Sequence, residues 1–153
     1  MALRNILKAA APMRAIGARY ASTSAPKVTD HMVALTAVDL YGQRIPVLGM
    51  VGNTLVSTLK SRPELRDYCP DYSPYHGPEC HVSIPNEYLA VIPEKSDEET
   101  ELLDEISAMG TLSSNSRLAS RILLTPELNG LTLAVQRMHP YSAIRPGYDI
   151  NEE

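Results

Sequence analysis

The sequence predicts an α+β domain in which one mixed sheet cradles a helix, and three observations predict it. Two runs rich in Val, Leu, Ala and Thr precede a short amphipathic run. A long Pro-rich loop then leads to a short apolar run and a strongly acidic helical run. Two further apolar runs, separated by turn residues, close the body. Strand–strand–helix–loop–strand–helix–strand–strand is a β-grasp order.

Residues 32–40 (MVALTAVDL) contain no breaker and read as a strand. Tyr41-Gly42-Gln43 supplies a tight turn, and residues 44–50 (RIPVLGM) return as a second strand. Pro46 has no amide to give a ladder, so this strand belongs at an edge or a bulge. Asn53 is expected to cap a helix over residues 54–60, with Leu55, Val56 and Leu59 on one face. Residues 63–79 read as a loop and residues 81–84 as a short strand. Ser96 opens a second helix, with Glu99 completing a capping box and Leu102, Leu103 and Ile106 forming the apolar side. Gly110 is expected to stop it. Residues 120–125 and 131–137 would form a hairpin turned by Asn129-Gly130. Residues 138–153, with Pro140, Pro146 and Gly147, read as an extended tail with no core of its own.

The chain carries a formal charge of -4, and its first 24 residues hold Arg4, Lys8, Arg14 and Arg19 with no acid, leaving -8 on the remainder. An acidic body excludes nucleic acid, whose phosphates require clustered Lys and Arg, and favours a basic protein surface. Leu3, Ile6, Leu7, Ala10 and Met13 recur at helical spacing among those basic residues. Residues 1–24 therefore read as a mitochondrial presequence and residues 28–137 as the folded body. No apolar run reaches the ~20 residues of a membrane span. The expected location is the matrix side of the inner membrane, where thiols stay largely reduced.

Cys69 and Cys80, the two cysteines of the chain, flank the Pro- and Tyr-rich loop. Together with His76 they offer two thiolates and an imidazole, a set suited to one Zn or Fe ion, with Asp71, His81 or water as fourth ligand. The other reading is two reduced cysteines packed as small hydrophobes. Asp97, Glu98, Glu99, Glu101, Asp104 and Glu105 crowd one helix and suggest a docking face, although charge runs are commonly just solvated. His31, His76, His81 and His139 are scattered, and no GxSxG or phosphate-binding loop occurs, so no enzyme is predicted.

Four stretches of the body resemble the mitochondrial, adrenodoxin-type 2Fe-2S ferredoxins: Val51-Gly52-Asn53-Thr54-Leu55, Cys80-His81-Val82, the acidic run 96–104, and Ser116-Arg117-Leu118-Ala119-Ser120. The resemblance implies a ferredoxin-like β-grasp fold, and makes the acidic helix a docking surface for a basic partner and His81 a hydrogen-bonding strut. It also implies a C-x5-C-x2-C ligand pattern with a fourth Cys further on. Anchored on Cys80, those positions fall on Asp71, Gly77, Cys80 and Ser120. Three thiolates are missing, which argues against an ordinary 2Fe-2S cluster. With a presequence, this departure resembles the ferredoxin-like accessory subunits of plant- and alga-type respiratory complex I. That implies a non-catalytic part bridging the carbonic-anhydrase-like matrix domain and the peripheral arm. The alternative expectation is a matrix 2Fe-2S electron carrier with atypical ligands.

Overall fold

A computed structural model describes residues 27–73, 77–107 and 110–138. The presequence expected over residues 1–24 and the tail from His139 onward lie outside the described residues, as does His76. Strand β1 (Met32–Val38) alternates Val33, Leu35 and Ala37 into the interior. An Asp39 side chain accepting from the Tyr41 and Gln43 amides, at 2.9 and 2.8 Å, shapes the turn that follows. Gly42 there takes φ +79°, a conformation that L side chains disfavour. β2 (Arg44–Met50) returns antiparallel, with Met32 opposite Met50 and Val38 opposite Arg44. It is an edge strand, as Pro46 requires.

Helix α1 (Leu55–Lys60) is capped by Thr54, whose hydroxyl accepts from the Ser57 amide at 3.4 Å. The expected cap, Asn53, lies one residue too early. It sits in a turn, its amide donating to the Met50 carbonyl. Leu55, Val56 and Leu59 are buried as the spacing predicted. The loop then makes a 3-10 turn (Pro63–Tyr68) and a small ladder of β3 (Asp71–Ser73) with β4 (Gly77–Pro78). Next come β5 (His81–Ser83), the single turn α2 (Asn86–Leu89) and the acidic helix α3 (Asp97–Ile106). The last strands are β6 (Ser116–Leu118) and β7 (Thr132–Val135). α3 ends at Ile106, four residues before Gly110.

The main sheet runs β2-β1-β7-β5-β6. β7 lies parallel to β1, with Thr36 opposite Thr132, and antiparallel to β5, with Val82 opposite Val135. The expected hairpin of residues 120–125 with 131–137 does not form. Residues Ala119–Arg121 and Pro126–Leu128 are 3-10 turns. The Asn129-Gly130 turn docks on β1 instead: the Asn129 side chain accepts from the Ala34 amide at 2.9 Å, and the Gly130 amide donates to the Ala34 carbonyl at 2.8 Å. That docking feeds β7 into the middle of the sheet.

One core joins sheet residues such as Val33, Val47, Val82 and Leu133 to Leu55 and Leu59 of α1, with Leu124 and Leu128 filling between. Gly49 belongs to this contact, because a Cβ there would collide with Leu124 Cδ1 and with Thr58 Cγ2. A smaller cluster of Leu103, Ile106 and Leu118 seats α3 against β6.

Candidate functional site

The thiol-bearing loop is built from short-range devices. Pro63 starts the 3-10 turn at a position needing no amide, Leu65 plugs it into the core, and the Cys69 amide closes it on the Arg66 carbonyl at 3.1 Å. The chain doubles back through β3 and β4. The Glu79 amide then donates to the Pro70 carbonyl at 3.1 Å, and the Ala119 amide to the Cys80 carbonyl at 2.9 Å. Cys69 and Cys80 are both fully buried and both free. The neighbouring Cys69 thiol, burial and the nearby Glu79 carboxylate push the Cys80 thiol well up. A protonated, buried thiol must be exposed and lose its proton before it can attack or ligate.

Other predicted ligands lie elsewhere. Asp71 is exposed and pairs with Lys60 Nζ at 2.7 Å. Gly77 sits in the β4 turn at φ +68°. Ser120 Oγ donates to Glu79 Oε1 at 2.8 Å. Among the described residues no group of three or more His, Cys, Asp or Glu side chains is placed to hold a metal ion. Of the four ligands expected for a single ion, Cys69 and Cys80 are buried, Asp71 is turned outward to Lys60, and His76 lies outside the described residues.

His81 is a strut. Its Nε2 lies 2.8 Å from Ser116 Oγ and its Nδ1 3.3 Å from Ser107 Oγ, so the ring ties β5 to β6 and to the end of α3. Burial, with a smaller contribution from Lys95, lowers its pKa to about 4. A neutral imidazole can donate through one nitrogen and accept through the other, which matches two serine hydroxyls.

The acidic run divides in two. Asp97, Glu98, Glu101, Asp104 and Glu105 are exposed along α3. Glu99 is buried and is no part of that face. Its carboxylate takes Arg117 Nε at 2.8 Å, Arg117 Nη2 at 3.1 Å and the Leu118 amide at 2.9 Å. Arg117 Nη1 donates in turn to the Pro93 carbonyl at 2.8 Å. Ser96 caps the helix by accepting from the Glu99 amide at 3.1 Å, so only half of the expected capping box forms. This lock went unforeseen, because Arg117 stands between Ser116 and Leu118 after a polar stretch and nothing local marks it as buried.

No family model matches the sequence. Mitochondrial ferredoxin-2 of Xenopus laevis is 32% identical over 113 residues, covering 73% of this chain and 56% of that protein. The mitochondrial adrenodoxin-like protein 1 of Drosophila melanogaster is 34% identical over 113 residues, covering 73% and 63%. The chain thus spans somewhat more than half the length of these relatives. A reduced putidaredoxin from Pseudomonas putida with a Cys-to-Ser substitution aligns at TM-score 0.58 and 24% identity, covering 69% of this chain and 99% of that one. A second putidaredoxin structure, described as an Fe2S2 ferredoxin, aligns at TM-score 0.58 and 25% identity, with the same coverage. Sequence relatives and fold neighbours together support the adrenodoxin-like ferredoxin family.

These relatives overturn the expectation against a 2Fe-2S cluster, since they are ferredoxins and one fold neighbour is named for that cluster. The donor set of this chain is a separate matter. Four thiolates ordinarily hold such a cluster, and the sequence contains two cysteines. The thiols present do not by themselves fit a four-thiolate site, and the remaining ligands would be oxygen or nitrogen groups or come from outside the chain.

Proposed function

We propose that this chain is a non-enzymatic, ferredoxin-type protein of mitochondrial electron transport that docks through the outer acidic face of α3 on a basic partner. Its likeness to proteins named as mitochondrial ferredoxins carries the reading. A fold neighbour caught in a covalent complex with its reductase supports a protein partner. The mitochondrial names of the relatives support the compartment, and the matrix side of the inner membrane completes the proposal. Among the described residues no helix is long and apolar enough to cross a membrane. As a carrier, the chain would use Cys69 and Cys80 with ligands that are not cysteine.

A second reading is favoured by one observation. Asp71 and Ser120, two of the four positions the ferredoxin pattern gives to ligands, are engaged with Lys60 and Glu79. An assembly subunit of respiratory complex I, joining the carbonic-anhydrase-like domain to the peripheral arm, needs the docking face but no electron. Iron and sulfide analysis of the mature protein, with an absorption spectrum and native electrophoresis of mitochondrial membranes, separates the two. Two irons and two sulfides per chain, with reversible bleaching by a reductase, support the carrier. A colourless chain migrating in stoichiometric amount with complex I overturns it in favour of the subunit.

A further inference from the structure

The end of the small ladder brings the backbone beside the two cysteines together. Asp71 lies opposite Pro78, and the Glu79 amide bonds the Pro70 carbonyl one step further on. Cys69 and Cys80 are the residues immediately outside that bond, Cys69 at the end of the 3-10 turn with φ -121° and ψ 59°. A disulfide needs Cα atoms ~4.4–6.8 Å apart, and the Glu79–Pro70 bond holds the residues next to both cysteines together. Both cysteines are fully buried in one core cluster. A cavity of 380 Å³ lined by Asp67, Tyr68, Pro70 and Arg137 lies next to this segment, without Cys69 in its wall.

We propose that Cys69 and Cys80 form a reversible cross-strand disulfide, with glutathione disulfide as the oxidant. One thiolate attacks the oxidant and releases one glutathione, leaving a mixed disulfide. The second thiol loses its proton, attacks that bond and releases the other glutathione. One S–S bond replaces two S–H bonds, and two electrons and two protons leave as two molecules of reduced glutathione. Both sulfurs are fully buried, so exchange requires the loop to open and is slow in the folded protein. The bond would fasten the end of the Pro63–Tyr68 turn to the start of β5.

The full chain as purified is equilibrated across glutathione buffers from reducing to oxidising, quenched in acid, alkylated in denaturant and weighed. The reduced chain should take two alkyl groups. The oxidised chain should take none, weigh two hydrogens less, and yield the peptides of Cys69 and Cys80 joined. Its Glu79 amide should exchange hydrogen more slowly, and reaction should speed up in denaturant. Cys69→Ser should stop at one glutathione adduct. Two alkylatable thiols persisting in the most oxidising buffer, or glutathione on both cysteines with no cross-link, would overturn the proposal whether or not that variant folds.

Discussion

At neutral pH the His81 imidazole is uncharged, because burial holds its pKa at about 4 against an ordinary 6.5. The unfolded chain binds a proton there between those values and the folded chain does not. Stability from this group is therefore complete above about pH 6.5, falls as pH drops toward 4, and is lost no further below, for a total of at most about 3 kcal/mol. Urea titrations across that window should show this loss in the native chain and a smaller one in His81→Gln. At Gly49 the constraint is space: the added methyl of Gly49→Ala would meet Thr58 Cγ2 at 2.7 Å. Overpacking of this kind costs about 1–3 kcal/mol, to be read as a lower denaturant midpoint with unchanged slope. His81 was legible as a strut through the family resemblance. The crowding at Gly49 was not, since Leu124 lies 75 residues away in sequence.

Within α3, the start at Ser96 and the apolar side of Leu103 and Ile106 follow from local chemistry and period, and both are present. What the period did not reveal is that one carboxylate of the run faces inward. Glu99 looks like its neighbours until Arg117 is brought beside it at 2.8 Å. Replacing Arg117 with Met should cost about 3–5 kcal/mol, because it strands a buried charge, and chemical denaturation checks this. Reversing Glu98, Glu101 and Asp104 to Lys should leave stability nearly unchanged, since all three are exposed. The same variant should weaken binding to a basic partner and flatten its salt dependence, measured by titration at several ionic strengths.

The whole molecule depends on β7 lying between β1 and β5. A chain ending before Leu131 loses that strand, parts the sheet in two and exposes the edges of both halves. Such a chain should give no cooperative unfolding transition and no dispersed amide spectrum, although α1 and the β1–β2 hairpin remain encoded. The sequence by itself determined the β1–β2 hairpin, both main helices, the edge position of Pro46 and the thiol-bearing loop, because turn chemistry and side-chain period act over a few residues. Only the tertiary structure decided that β7 pairs with β1, that Glu99 answers Arg117, and that Cys69 and Cys80 share one core. Those choices join residues far apart in the chain, and they are set by which partner satisfies a buried group.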